Sequence, residues 1–389
     1  MTTAFKNFKI IRHGEFSPFP DLLVEDDKIV AIGADLTGDK IIDGKGEYYL
    51  CAGFIDIHTH GGGGYDFMDA VPEEYVKIAE NAAKFGATSI YPTSVSASRK
   101  ELLDMISAFE KAKDNNSGAN LLGIHLEGPY ISPKQAGAMD PKYIREPIKE
   151  EYEELFGLSK HICRMTIAPE LPGASELGIY MREHGIIPSI GHTDSFAPEV
   201  INAHYEGGYN LMTHIYSCMN QTKRVNAWRH AGAVEAAYLL DDMSVEVIAD
   251  GCHLPAEIIK LIYKIKGDDR MILVTDSMRA AGMKEGIHRF GSRKNGYDVI
   301  VEDGVAKLMD RSAFAGSVAT PDRLIRTVNS CGISLPSAVK MMTETPAKVM
   351  GIYEERGSLD DGKYADITIF DYKIKIQLTM VGGNIVYTK

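Results

Sequence analysis

This 389-residue chain has one tryptophan, five cysteines without a C-x-x-C pair, and no excess of positive charge. No apolar run approaches the roughly 20 consecutive residues that a membrane-spanning helix needs, which excludes an integral helical membrane protein. Asp and Glu total 54 against 42 Lys and Arg, a formal net charge of −12, so no basic face is expected for nucleic acid or an anionic membrane. An anionic substrate would have to be received by local cations. Cys51, Cys163, Cys218, Cys252 and Cys331 are odd in number and scattered, which excludes a disulfide framework and reads as reduced thiols in a cytoplasm. The opening MTTAFKNFKIIRHGEF has neither a long apolar stretch nor a small-residue cleavage site, so no export signal is expected.

What is present is length enough for one large domain and a smaller one. Near the N-terminus FKIIR, LLVEDDKIVAIG and KIIDGKGEYYL alternate in hydropathy between Gly and Asp turn signals, and predict short antiparallel strands. Near the C-terminus YADITIFD and IQLTMVGGNIVYTK repeat the pattern around Gly-Gly. Residues 1–52 and 346–389 are therefore expected to pair into a small β-sandwich domain.

Between them, over 53–345, eight short β-rich runs alternate with amphipathic helical segments: 53–60, 87–93, 121–129, 163–170, 186–193, 211–216, 245–253 and 271–277. Alternation of this length means parallel strands, and eight can close into a (β/α)8 TIM-type barrel. An open doubly wound sheet would want G-x-G-x-x-G after its first strand; Gly61–Gly64 lacks that spacing. YDVIVEDGVAKLM reads as a hairpin on Asp-Gly, inserted before a final barrel helix near 320–331.

In such a barrel the C-terminal strand ends surround the active site, so the polar residues closing each run should converge. Run one ends His58-x-His60, run three at Glu127, run five at His192, run six at His214 and run eight at Asp276. The period of two along a strand puts His58 and His60 on one face. Each histidine alone reads as an ordinary core or surface residue. Five ligand-type residues closing four separate runs, with Asp276 closing a fifth, point instead to a divalent metal, Zn²⁺ by donor type. His125 shares a face with Glu127 and is a lesser candidate.

The stretches GFIDIHTHGGGG, HLEGPYISPKQAGA, APE, GHT, the Thr-His of run six, ADGCH, LVTDSMRAAGM and FAGS occur in that order. In these the chain resembles the N-acetylglucosamine-6-phosphate deacetylase family of the amidohydrolase superfamily, over nearly its whole length. The resemblance implies a homodimeric enzyme cutting the acetamide of a phosphorylated amino sugar, with one or two metal ions per subunit. It implies Glu127, His192 and His214 as ligands of a required metal, His58 and His60 with bridging Glu127 as holders of a second ion, and Asp276 as general base and acid. For the phosphate it implies His253, the backbone N–H groups of Ser217 and Cys218, and an Arg matching Arg229 that reaches in from a neighbouring subunit. Lys223 and Arg224 add positive charge nearby. Run four ends Ala168-Pro169-Glu170 without the lysine that bridges two metals in many superfamily members.

Three departures stand out. His214-Ile-Tyr-Ser-Cys-Met replaces the family's usual His-Leu-Phe-Asn-Ala-Met, Met139 replaces a His or Gln, and Ala52 replaces a Pro. Met139 can neither donate to nor polarise a carbonyl. The metal set is untouched, but the choice of sugar stays open between N-acetyl-D-glucosamine 6-phosphate and its galactosamine epimer. A different amidohydrolase, such as an N-acyl-amino-acid deacylase, is the wider alternative, and a non-catalytic sugar-phosphate binder the third.

Overall fold

The computed structural model describes residues 1–114 and 117–389. Eight parallel strands carry the fold: β1 (Phe54–Thr59), β2 (Ala87–Pro92), β3 (Ile124–Glu127), β4 (Ile162–Ile167), β5 (Ile187–Ile190), β6 (Leu211–Met212), β7 (Ser244–Val247) and β8 (Met271–Leu273). β1 and β2 pair in one sheet with Asn120–Leu121, and β3 to β8 pair in sequence order in a second. Parallel bridges Thr93↔His125 and Thr59↔Ser277 connect the two sheets at both seams. Each strand is followed by a helix, from Pro72–Ala83 after β1 to Pro321–Ser330 after β8. The helix Arg99–Ala112 shows why these segments start where they do: Ser98 and Glu101 form a reciprocal capping box that satisfies orphan amides of the first turn.

Six of the strands lie inside the expected runs, β4 and β7 each begin one residue earlier, and all eight are shorter than expected. β6 ends at Met212, and the rest of its run enters a tight turn that continues past it, with His214 (φ 28°), Tyr216 (φ 76°) and Cys218 (φ 50°) in left-handed conformations. Period-two alternation does not reveal where a strand gives way to such a turn.

Both chain ends meet in a six-stranded sheet, where Tyr49–Ala52 pairs antiparallel with Ile367–Phe370. A four-stranded sheet from the first 43 residues, ending with Lys40–Asp43, shares one core with it, including Phe5, Leu22, Leu50, Ile367 and Met380. Gly382 (φ 51°) and Gly383 (φ 77°) make the turn between the last two strands, a geometry that two-residue hairpins require. The Asp303-Gly304 hairpin is also present, joined by a third strand, Gly286–Phe290, whose sequence carries too little alternation to announce it. The helix Glu344–Val349 straddles the expected boundary between 345 and 346.

Candidate active site

The residues that close the strands converge. His58, His60, Glu127 and Asp276 offer ligand atoms within 4.8 Å of one another, and so do Glu127, His192 and His214; Glu127 belongs to both groups. Its Oε1 lies 3.2 Å from Nε2 of His192 and 2.8 Å from Nε2 of His214. Its Oε2 lies 3.2 Å from Nε2 of His60 and 3.5 Å from Nε2 of His58. Asp276 Oδ1 faces the same pair, 3.0 Å from His60 and 3.5 Å from His58. All six residues are buried.

The far side of the rings explains which nitrogen points inward. Nδ1 of His60 is 3.2 Å from the Thr93 carbonyl oxygen, and Nδ1 of His192 is 2.8 Å from that of Gln135. A carbonyl accepts only, so both Nδ1 atoms carry the proton and each Nε2 presents a lone pair, the arrangement of metal-ligating histidines. Nε2 of His58 is buried without a hydrogen-bond partner. With its four imidazoles neutral, as ligation requires, the centre carries the two negative charges of its carboxylates, which suits a divalent cation; without the cation, protons on the rings take its place. These side chains can hold one ion in each group, and an ion in the first would give the unpartnered Nε2 of His58 a partner.

Holding this geometry costs backbone strain. His192 (φ 47°), His214 (φ 28°) and Asp276 (φ 45°) all occupy the left-handed region, at about 1–3 kcal/mol each for non-glycine residues. Charge is concentrated as well. Burial lowers the pKa of His58, but Glu127, Asp276 and Glu246 outweigh it and raise it to about 9. Burial would raise the pKa of Asp276, yet His58 and His60 bring it below its usual value, so it stands as the carboxylate.

A cleft of about 270 Å³ opens over this centre, bordered by Met139, Ser217, Cys218 and His253 among others. His253 is oriented by Asp250, which accepts from its ring Nδ1 and its backbone N–H at 2.8 Å each. Ser217 borders the cleft, but its amide, expected to face an anion, instead donates to the His214 carbonyl at 3.0 Å, because the left-handed turn folds it back. Met139 is buried, and its Sδ accepts from the Ser96 amide at 3.3 Å. Arg229 does not reach the cleft of its own chain. It sits with Lys223 and Arg224 on an exposed hairpin, Lys223–Val225 paired with Trp228–His230. His125 stands outside both ligand groups, bonded to Thr93 and Thr166.

Sequence reasoning missed two fully buried groups below the centre, Arg164 on β4 and Glu246 on β7. The available signal was a charge in the interior of each run, Arg164 in CRMTIAPE and Glu246 in VEVIADG, away from the polar residues that close them.

The amidohydrolase family profile matches residues 49–386. An N-acetylglucosamine-6-phosphate deacetylase of Bacillus subtilis (strain 168) is 34% identical over 396 residues, covering 98% of this chain and 96% of its own. An N-acetylgalactosamine-6-phosphate deacetylase of Escherichia coli O157:H7 is 30% identical, covering 86% of this chain and 87% of its own. The crystal structure of N-acetylglucosamine-6-phosphate deacetylase from Pasteurella multocida superposes with a TM-score of 0.92 at 29% identity, over 100% of both chains.

Proposed function

The chain belongs to the amidohydrolase family, in its N-acetylglucosamine-6-phosphate deacetylase branch, and we propose that it hydrolyses N-acetyl-D-glucosamine 6-phosphate to D-glucosamine 6-phosphate and acetate. The observation that carries this reading is the likeness to a deacetylase of that sugar phosphate over nearly the full chain, with the six ligand-type residues of the branch gathered under one cleft.

In this reading Glu127, His192 and His214 would hold one Zn²⁺, and His58, His60 and Glu127 would hold a second. Bound there, a divalent ion would polarise the amide carbonyl as a Lewis acid and would acidify water. Asp276, kept ionised beside His58 and His60, takes the proton of the attacking water and returns it to the amine as the C–N bond breaks. His253, fixed by Asp250, and the Cys218 amide receive the phosphate, with Ser217 bordering them. Arg229 completes the phosphate site from the partner subunit of a homodimer, which its exposed hairpin leaves it free to do; a guanidinium suits phosphate through paired charge-assisted bonds.

The two parallel sheets form one (β/α)8 barrel over 53–345, a reading supported by the bridges at both seams. Residues 1–52 and 346–389 form the small β-domain, supported by their shared core. Five unpaired cysteines suit the cytoplasm. No helix among the described residues is long and apolar enough to cross a membrane.

A second reading, deacetylation of the galactosamine epimer, is favoured by the likeness to an enzyme named for it. Acetate release from the two epimers and from unphosphorylated N-acetylglucosamine separates the possibilities. The glucosamine phosphate is expected to have the highest kcat/KM. A preference for the epimer selects the second reading, and indifference to phosphate points to another amidohydrolase.

A further inference from the structure

Arg164 and Glu246 are fully buried beneath the six ligand-type residues, and neither faces substrate. The Arg164 guanidinium pairs with Oε1 of Glu246 and spends its other donors on the barrel wall: Ser189 Oγ at 2.8 Å, Thr213 Oγ1 at 2.9 Å and the Ile57 carbonyl at 3.3 Å. Burying such a pair adds little stability over well-packed apolar side chains, because desolvation offsets the attraction. Stability alone therefore does not account for a charge at this depth.

The second oxygen of Glu246 supplies another reason. Oε2 lies 3.1 Å from Nδ1 of His58 and accepts the backbone N–H of His214 at 3.2 Å. A carboxylate paired with a guanidinium accepts only, so the His58 proton sits on Nδ1 and its lone pair on Nε2. That Nε2 is the buried atom without a hydrogen-bond partner, aimed between Glu127 and Asp276. One carboxylate thus fixes the ring of His58 and steadies the strained backbone of His214 (φ 28°). His60 and His192 obtain the same orientation from backbone carbonyls; only His58 depends on an ionisable side chain, and that side chain depends on Arg164.

We propose that Glu246, held by Arg164, is a positioning residue for the second metal ion: by fixing the tautomer of His58 it sets how tightly the group of His58, His60, Glu127 and Asp276 binds its ion. This rests on the reading of the centre as a two-metal site. The test is stepwise Zn²⁺ binding to stripped protein, followed by competition with a chromophoric chelator. It compares the wild type, Glu246→Gln, and the double variant Arg164→Met/Glu246→Gln, which leaves no buried unpaired charge if the single variant folds poorly. The wild type is expected to bind two ions. In a folded variant the weaker step should lose about 10- to 100-fold in affinity, the usual effect of removing a carboxylate behind a ligating histidine, while the tighter step changes less. Two ions bound with unchanged affinities, or both steps weakened by one factor, would overturn the positioning role and leave the metal reading intact. A wild type that binds one ion overturns the proposal for the second site alone, and one that binds none overturns the metal reading itself.

Discussion

Nε2 of His192 and Nε2 of His214 stand 3.2 Å apart, both within 3.2 Å of one carboxylate oxygen of Glu127. Two imidazole lone pairs at that separation repel unless a proton or a cation lies beside them. Metal removal should therefore cost stability as well as activity. A ligand present at about 1,000 times its Kd adds roughly 4 kcal/mol to the folded state, so chelation is expected to lower the calorimetric melting temperature, and Zn²⁺ to restore it. An unchanged melt after verified stripping would contradict this.

Asp276 faces the cleft from the end of its run, in contact with two rings of the centre. Asp276→Asn keeps the shape and removes the proton acceptor. It should retain the metal at Glu127, His192 and His214 while kcat falls by about 10²–10⁴-fold, the range for general acid–base groups. Metal analysis beside steady-state kinetics checks both halves.

Arg229 does not line the cleft of its own chain, so the phosphate role requires a second chain. Sedimentation should find a dimer. Arg229→Ala and His253→Ala should each raise KM for the phosphorylated sugar strongly and barely change kinetics on its unphosphorylated analogue, the signature of lost binding rather than lost chemistry. An active monomer would remove Arg229 from the site.

Lys266 is 6% exposed and donates to the Leu240 carbonyl at 2.6 Å. Burial lowers its pKa to about 8 from an ordinary 10.5. Because the folded value is depressed, the lysine's charge destabilises the fold fully below about pH 8, and the cost fades as pH rises towards 10.5; it amounts to at most about 3 kcal/mol. Lys266→Met should therefore gain stability relative to the wild type at pH 7 and lose most of that advantage at pH 10, as read by urea unfolding at both values.

The candidate site was legible because strand ends and period two are properties of sequence: His58-x-His60, Glu127, His192, His214 and Asp276 all close β-rich runs, and the structure gathers them in two groups that share Glu127. Residues whose role depends on a local turn or on depth were not. The Ser217 amide looked available, but the turn after β6 directs it to the His214 carbonyl. Arg164 and Glu246 lie inside β-rich runs rather than at their ends, and their meeting depends on residues 82 apart in sequence. The strand Gly286–Phe290 was missed because only one of its five residues is buried.

The central claim, that this six-residue centre hydrolyses the acetamide of a sugar phosphate, is tested most directly by restoring metal to stripped protein while following acetate release from N-acetyl-D-glucosamine 6-phosphate. Activity is predicted to be lost on stripping and to return in proportion to Zn²⁺ bound until the tighter site is filled. Acetate release by fully stripped protein at the untreated rate, or none at any occupancy, would contradict the account.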